Sequence, residues 1–234
     1  MEQQDTDNEP NLRQEQILNS ACKEFLKHGK SGTKMQQIAD AAGVNKALVY
    51  YYYHSKDQIF HAVVEHNFKI LMDGIAYNVN FSEPLKTIVH QYIHNHIQVI
   101  TDNRELFQFF SGEVWMNPHD LITGISESLR KQTKKLYKAL KERIKKSVQN
   151  KEIRPIDPLH LLLNIVSLDV FYFIAAPIVF PLTGTKASAQ KRIEKERENE
   201  VFEFIWESIR YRGADESDCS SKAKNYDEKI GGTE

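Results

Sequence analysis

Four consecutive tyrosines, at positions 50 to 53, form a run of side chains that could do chemistry, and Lys46 and Lys56 flank the run. A phenol hydroxyl can donate a hydrogen bond to a phosphate oxygen, and a lysine ammonium can pair with the charge of the same group. A tyrosine ring can also lie against the methyl group of a thymine base. These residue types in this spacing make chemical sense on the surface of DNA.

Only part of the tyrosine run can be buried if it lies on a helix. Successive side chains point about 100° apart around an α-helix, so four in a row cover most of its circumference. Val49 and Tyr53, four residues apart, form the natural core-facing pair. We expect Tyr50 and Tyr51 to face outward, with Tyr52 at the margin between core and surface.

The elements that must hold this run are two short helices joined by a turn, over residues 33–53. Thr33 and Gln36 match a capping box at the start of the first helix, and Gly43 is expected to end that helix. Asn45 is a good N-cap for the second helix, over residues 46–53. This arrangement is the helix-turn-helix unit, which places its second helix in the major groove of DNA.

The rest of the chain also has the apolar spacing of helices. Periodic apolar residues cover residues 12–28, 56–75, 84–100, 129–148, 158–180 and 186–212. Gly29 is expected to end the first of these segments, and Pro177 and Pro181 to break the end of the fifth. No segment alternates as a strand does, so we predict an all-α fold.

The stretch from Thr33 to Phe60, TKMQQIADAAGVNKALVYYYYHSKDQIF, resembles the DNA-binding signature of the tetracycline-repressor (TetR) family. Spacing, capping residues and the aromatic cluster all agree with that signature. The resemblance implies an N-terminal three-helix helix-turn-helix domain that binds DNA. It also implies a larger C-terminal helical domain with a ligand cavity and a homodimer interface.

The same resemblance implies roles for individual residues. In that family the positions of Thr33, Lys46, Tyr51, Tyr52 and Lys56 hold phosphates, while those of Ala47, Leu48 and Tyr50 face bases. The chain departs from the family pattern with Ala47 and Leu48 where Gly and Thr are common, His54 where Lys or Arg is common, and Tyr53 where Phe is common. We include His54 in the predicted DNA-binding surface, and the departures leave the operator sequence open.

We therefore divide the chain into four parts: a flexible N-terminus (residues 1–10), the helix-turn-helix DNA-binding domain (11–57), a helical ligand-binding and dimerisation domain (58–212) and a disordered tail (213–234). The apolar segment 158–182 is long enough to approach a bilayer thickness. Because Asn164 and Asp169 interrupt it and prolines follow, we expect no membrane span. Paired with residues 186–212, this segment is the candidate homodimer interface.

The formal net charge of −1 does not exclude a DNA partner, because the charge is unevenly distributed. Residues 11–61 carry +3 and residues 130–154 carry +9, while acidic segments compensate elsewhere. A local basic surface is what attracts an anionic partner. For the 130–154 segment we expect a solvated lysine face, with an anionic ligand, a membrane surface or a second DNA contact as alternatives.

Candidate ligand-binding residues in the C-terminal part combine aromatic groups with a few polar ones, as small-molecule sites usually do. They are Phe107, Phe110, Trp115, Met116, Asn164, Asp169 and Tyr172, with ordinary core packing as the alternative for each. His90 and His94 have a spacing compatible with a metal ion. No Glu-rich or Cys-rich cluster accompanies them, so we expect no metal site.

Composition limits the remaining classes. Two distant cysteines, Cys22 and Cys219, exclude a disulfide-stapled protein and suit a reducing cytosol, and the polar, acidic start does not read as a secretory leader. No catalytic triad order, Gly-rich phosphate loop or metal motif stands out, so we expect neither an enzyme nor a cofactor. We hypothesise a cytoplasmic homodimeric repressor that binds an imperfect palindromic operator and is released by an unknown small-molecule effector. The alternative is a DNA-packaging or partner-binding helical protein without ligand control.

Overall fold

A computed structural model describes residues 8–213 of the chain, and these residues form ten α-helices. In chain order the helices are α1 (Asn8–Gly32), α2 (Met35–Ala42), α3 (Lys46–Tyr53), α4 (Lys56–Ile75), α5 (Leu85–Asp102), α6 (Arg104–Met116), α7 (Pro118–Gly124), α8 (Glu127–Gln149), α9 (Pro158–Leu182) and α10 (Ala187–Ile209). Within the described residues the one β contact is an isolated antiparallel bridge between Ile153 and Arg210. The predicted all-α fold is confirmed. The predicted tail and Cys219 lie outside the described residues.

Two compact units share the chain. The first holds residues up to Asp73 together with Ile100–Thr133, and the second holds Gly74–Val99 together with residues from Lys134 onward. The first unit thus contains α6 and α7 as well as the helix-turn-helix segment. These two helices lie in residues 101–128, for which the apolar spacing predicts no helix. Each unit has its own hydrophobic core.

The core of the first unit forms where α1, α2, α3 and the first half of α4 meet. Its fully buried side chains include Ile17, Phe25, Ile38, Val49 and Phe60. Phe25 and Phe60 meet edge to face, with ring centroids 5.2 Å apart, an arrangement favoured by the charge distribution of aromatic rings. One face of α3 packs against this core, and the opposite face is exposed to solvent.

The junction before α2 differs from the predicted capping box. The hydroxyl of Thr33 donates to the carbonyls of Gly29 (2.8 Å) and Glu24 (3.1 Å), at the end of α1. Capping therefore falls one residue later, where Gln37 Oε1 accepts from the backbone N–H of Lys34 at 2.7 Å. The predicted pairing of Thr33 with Gln36 is wrong, because the threonine already serves the preceding helix.

The turn residues around α2 and α3 behave as predicted. Gly29 interrupts α1 and Gly43 ends α2, both with a φ of 64°, a region that glycine enters without a steric penalty. Asn45 caps α3, since its side chain accepts from the backbone N–H of Leu48 at 2.8 Å. The start of α3 is thereby fixed by a local bond as well as by packing.

In the second unit α9 continues past its two prolines. Pro177 and Pro181 lie inside the helix, which ends at Leu182 before Gly184 with its φ of 64°. The prediction that these prolines break the helix is wrong. The ring fixes φ near a helical value and removes only one backbone donor, and both prolines lie on exposed positions where neighbouring carbonyls can be solvated.

Candidate DNA-binding surface

Helix α3 buries one face and exposes the other, as the tyrosine spacing predicts. Val49 is 0% exposed and Tyr53 6% exposed, whereas Tyr50 is 41% and Tyr51 72% exposed. The Tyr53 hydroxyl donates to the carbonyl of Gln14 at 3.3 Å, and burial raises the pKa of this phenol. Tyr53 is thus a packing residue, and the free phenols belong to Tyr50 and Tyr51.

The exposed face of α3 combines positive charge with aromatic surface. Lys46 is exposed, and its ammonium lies 5.7 Å from the centroid of the Tyr50 ring. Ala47, beside it, is also exposed. A cation above a tyrosine ring is attracted by the ring's electrons. The small Ala47 side chain leaves the backbone between the two groups open to close approach.

Two of the predicted DNA-binding residues lie at the edge of this face. Tyr52 is half-buried against the core of the unit and meets the Tyr51 ring edge to face, with centroids 5.2 Å apart. Leu48 is half-buried against the same core. Tyr52 therefore supports the orientation of the freely exposed Tyr51 ring.

Thr33 and Lys56 are tied to each other. The Thr33 side chain is buried, with its hydroxyl bonded to two carbonyls as described above, and the Lys56 ammonium donates to the Thr33 carbonyl at 3.2 Å. Lys56 is half-buried and is the first residue of α4. A positive charge is therefore held at a helix N-terminus, a combination that favours an anion.

His54 completes the predicted set at the C-terminal end of α3. It is exposed, has a φ of 50°, and its backbone N–H donates to the Tyr50 carbonyl at 2.9 Å. Its ring Nδ1 lies 3.0 Å from the same carbonyl oxygen. Since a carbonyl oxygen can only accept, Nδ1 carries the proton in this contact. The other ring nitrogen, Nε2, then points away from this bond.

A partly exposed ionic network connects three helices of the same unit, and the sequence alone does not indicate it. The Lys30 ammonium lies 2.6 Å from Asp120 and 2.9 Å from Asp57, and 5.0 Å from the Phe60 ring centroid. Burial lowers the pKa of Lys30, but its bonds to both carboxylates outweigh burial and leave the pKa above its usual value. Only the folded chain brings α1, α4 and α7 together, which is why these partners were not identified.

Glu113 adds a second tie at the same point. Its Oε1 accepts from the backbone N–H of Lys30 at 3.0 Å, and its Oε2 accepts from the Asn117 side chain at 2.6 Å. Glu113 is 5% exposed, and a buried carboxylate needs such donors to offset its lost hydration. The break of α1 at Gly29 is what points the Lys30 N–H at this acid.

The second unit contains a buried polar cluster that includes one predicted ligand-binding residue. Asp169 is 0% exposed, and its Oδ2 lies 2.8 Å from Nδ1 of His96. Burial raises the pKa of Asp169, although His96 and Arg197 act against this rise. The other oxygen, Oδ1, is buried and has no hydrogen-bond partner among the described residues. Asp169 thus keeps acceptor capacity that its own unit does not use.

Two aromatic rings contact members of this cluster. Tyr92 stacks on His96 with centroids 5.9 Å apart, and burial raises the pKa of the Tyr92 phenol. The Arg197 guanidinium lies 5.1 Å from the Tyr172 ring centroid and donates to the Leu168 carbonyl at 2.8 Å. His96 and Arg197 were missed by sequence reasoning because they come from α5 and α10, far from Asp169 in the chain.

The seven predicted ligand-binding residues are divided between the units. Phe107, Phe110 and Met116 belong to the first unit, where Phe110 packs against the core and Met116 is 77% exposed. The side chain of Trp115 lies outside the described part of the structure. Asn164, Asp169 and Tyr172 belong to the second unit, and Asn164 is exposed.

Two open grooves lie elsewhere. The groove of about 760 Å³ in the second unit and the groove of about 680 Å³ in the first are lined by none of these seven residues. The predicted ligand-binding set therefore does not correspond to either groove.

His90 and His94 lie against a carboxylate that the sequence did not indicate. Glu198 on α10 is 2.9 Å from His94 Nδ1 and 3.7 Å from His90 Nε2. Within residues 8–213 no group of three or more His, Cys, Asp or Glu side chains is arranged to hold a metal ion. The pair contributes a polar contact between α5 and α10.

Comparison with known proteins adds family evidence to this geometry. A family model described as "Bacterial regulatory proteins, tetR family" matches residues 17–63, and one described as "YcdC-like protein, C-terminal region" matches residues 65–212. Two models thus cover the helix-turn-helix segment and most of the chain that follows it.

Similar proteins are transcriptional regulators. The HTH-type transcriptional regulator RutR of Escherichia coli (strain K12) is 30% identical over 197 residues, which are 84% of this chain and 90% of RutR. The HTH-type negative transcriptional regulator IcaR of Staphylococcus aureus (strain Newman) is 28% identical over 129 residues, 50% of this chain and 67% of IcaR.

A solved structure has the same fold. A TetR family transcription regulator from Marinobacter aquaeolei VT8 superposes with a TM-score of 0.63 at 18% identity, over 88% of this chain and 100% of that one. With an exposed, capped second helix in its helix-turn-helix unit and family matches along both parts of its length, this chain belongs to the tetR family of bacterial DNA-binding transcriptional regulators.

Proposed function

We propose that the protein is a cytoplasmic homodimeric repressor that binds an imperfect palindromic operator and leaves it when a small molecule binds. The observation that carries the DNA contact is the exposed face of α3, where Lys46, Tyr50 and Tyr51 project from a helix whose other face is buried. A helix held in this way presents its polar groups to phosphate and base edges with little freedom to lose.

The contact roles are those that the family resemblance implies, limited by what each residue exposes. We assign phosphate contacts to Lys46, Tyr51, Tyr52 and Lys56 and base contacts to Ala47, Leu48 and Tyr50, and of Thr33 only the backbone is available because its side chain is buried. Residues 11–57 are then the DNA-binding domain and residues 58–212 the regulatory domain. The solved structure from Marinobacter aquaeolei is only 18% identical, so its similarity supports the fold and not these roles.

A second copy of the chain is the proposed partner of α9 and α10. Large apolar side chains on these helices are exposed: Leu159, Leu163, Phe171, Ile174, Ile178, Val179, Leu182 and Phe204. Among the described helices α9 alone is long and apolar enough to cross a membrane by length and composition. The buried Asp169 in its middle, with one oxygen 2.8 Å from His96 Nδ1, favours a protein partner over lipid.

Similarity to regulators that repress transcription supports repression. IcaR is a negative transcriptional regulator and NicS a transcriptional repressor. The buried polar cluster around Asp169 and Tyr172 offers an unpaired acceptor and an aromatic wall, which suits a small polar effector. Release requires that the effector prefer the dimer geometry that fits the operator less well.

A gel-shift titration on the DNA upstream of the gene tests the proposal. We expect a discrete complex at physiological salt, weakened by Lys46→Ala and by Tyr51→Ala with helical content and dimer mass unchanged. Binding to any duplex with equal affinity and a steep salt dependence would instead indicate a DNA-packaging protein. Absence of a specific complex on upstream and selected random duplexes alike would refute the repressor.

A further inference from the structure

We propose that His54 is a proton-dependent phosphate contact, so that operator affinity rises as the pH falls through the range in which histidine changes charge. The inference rests on the proposed placement of α3 on DNA. It adds a specific role for a residue that stands where the family pattern commonly has a permanently charged Lys or Arg.

The orientation of the His54 ring leaves Nε2 available for a phosphate. Nδ1 is occupied by the Tyr50 carbonyl at 3.0 Å, so the neutral ring has its proton on Nδ1 and a lone pair on Nε2. An unprotonated Nε2 repels a phosphate oxygen. Once Nε2 takes up a proton it becomes a charged donor, and the bond from Nδ1 is kept.

The His54 ring lies close in the chain to the other proposed phosphate contacts. His54 is the C-cap of α3 and is exposed at that end of the helix. It lies three residues after Tyr51, two after Tyr52 and two before Lys56, and all three are proposed phosphate contacts. A protonated His54 would therefore extend an existing line of phosphate-binding groups.

Neighbouring charges do not neutralise the ring. On α3 the Lys46 ammonium lies over the Tyr50 ring, and on α4 Lys56 is bonded to the Thr33 carbonyl. The carboxylate of Asp57, the nearest acid in sequence, is engaged by Lys30 at 2.9 Å. Within residues 8–213 His54 makes no ion pair, so a phosphate would be its first anionic partner.

Linkage sets the sign of the effect. If phosphate favours the protonated ring, the complex holds this proton more tightly than the free protein does. Affinity then increases as the pH falls from about 8 to about 5.5. Two rings per dimer, each gaining a solvent-exposed ion contact, should give roughly a three- to thirtyfold increase.

The experiment uses the full-length protein and a duplex enriched from random sequence by the protein itself at pH 6. Fluorescence anisotropy gives the Kd at pH 5.5, 6.5, 7.5 and 8.0, each at several KCl concentrations. The wild type should bind more tightly at low pH, with a salt slope steeper by about two at pH 5.5 than at pH 8.0, since two more phosphates are neutralised.

Three variants make the test specific. For His54→Gln, the increase in affinity and in salt slope between pH 8.0 and pH 5.5 should be lost. His54→Lys should bind tightly at every pH from 5.5 to 8.0. His66→Gln, which removes another exposed histidine of the same unit, should behave as the wild type. The proposal is overturned if His54→Gln keeps the full pH dependence. Failure of the wild type to bind any duplex would instead refute the DNA contact of α3.

Discussion

The ammonium group of Lys30 lies 2.6 Å from the carboxylate of Asp120 and thereby joins the end of α1 to α7. The same ammonium lies 2.9 Å from Asp57 in the first turn of α4. One side chain, 13% exposed, therefore ties three helices of the first unit at a point close to the start of the helix-turn-helix segment.

Replacing Lys30 should destabilise the first unit. Lys30→Met keeps the length of the side chain but removes both ion pairs and the contact with the Phe60 ring, at a cost of about 1–2 kcal/mol. Urea unfolding followed by circular dichroism measures the change. Lys27→Met, which removes a lysine that is 66% exposed and paired only with Glu24, is the matched control and should cost far less.

Acid should weaken the wild type more than the Lys30→Met variant. The bond from Lys30 holds the pKa of Asp57 below its usual value. A carboxyl with a lowered folded-state pKa contributes stability above its unfolded pKa of about 3.9, and this contribution is lost as the pH falls through the folded value. Urea midpoints measured at pH 5, 4 and 3 should converge for the two proteins. Parallel pH profiles would contradict this assignment.

Removing the cap of α3 should lower both stability and DNA affinity. Asn45→Ala deletes the acceptor for the Leu48 N–H, and loss of such a cap costs about 1 kcal/mol. Thermal unfolding and anisotropy with the selected duplex provide the two measurements. Asn45→Ser retains a hydroxyl that can cap the helix and should restore most of the stability. If Asn45→Ser were as unstable as Asn45→Ala, capping would not be the cause.

Two tyrosines of one helix should separate binding from folding. Tyr51→Ala removes a side chain that is 72% exposed and should weaken DNA binding with the unfolding midpoint almost unchanged. Tyr53→Ala removes one that is 6% exposed and should cost about 3 kcal/mol of stability, as large aromatic deletions in cores do. If Tyr51→Ala bound DNA as the wild type does, the proposed orientation of α3 would be wrong.

A charge on the apolar face of α9 should prevent dimer formation. Phe171→Glu and Ile178→Glu place a carboxylate on side chains that are 66% and 61% exposed in the isolated chain. Sedimentation should then show a monomer with unchanged helical content. Ile122→Glu, at an apolar side chain of the first unit that is 57% exposed, is the control and should remain a dimer.

The sequence predicted most elements because their signals are local. The cap at Asn45 and the stop at Gly43 lie within a few residues of the backbone groups that they serve. The error at Thr33 has the opposite origin. Its hydroxyl donates to the carbonyls of Gly29 and Glu24 at the end of α1. The local sequence does not show that these carbonyls compete with the capping of α2.

The site residues follow the same division. The buried and exposed sides of α3 could be predicted from the spacing of Val49 and Tyr53, because helical geometry alone determines them. The partners of Lys30 and Asp169 could not, since Asp120, Glu113, His96 and Arg197 come from helices distant in the chain. Helices α6 and α7 escaped prediction as well, although α6 contributes the buried Phe109 to the core of the first unit.

The bond from the Lys56 ammonium to the Thr33 carbonyl has a consequence for binding kinetics. A free lysine side chain samples many rotamers, and immobilising it on a ligand typically costs about 0.5–1.5 kcal/mol of entropy. Lys56 is restricted before DNA arrives, so its encounter with a phosphate needs little further ordering, whereas the exposed Lys46 must still be ordered. The first of the two lysines to become productively engaged on DNA should therefore be Lys56.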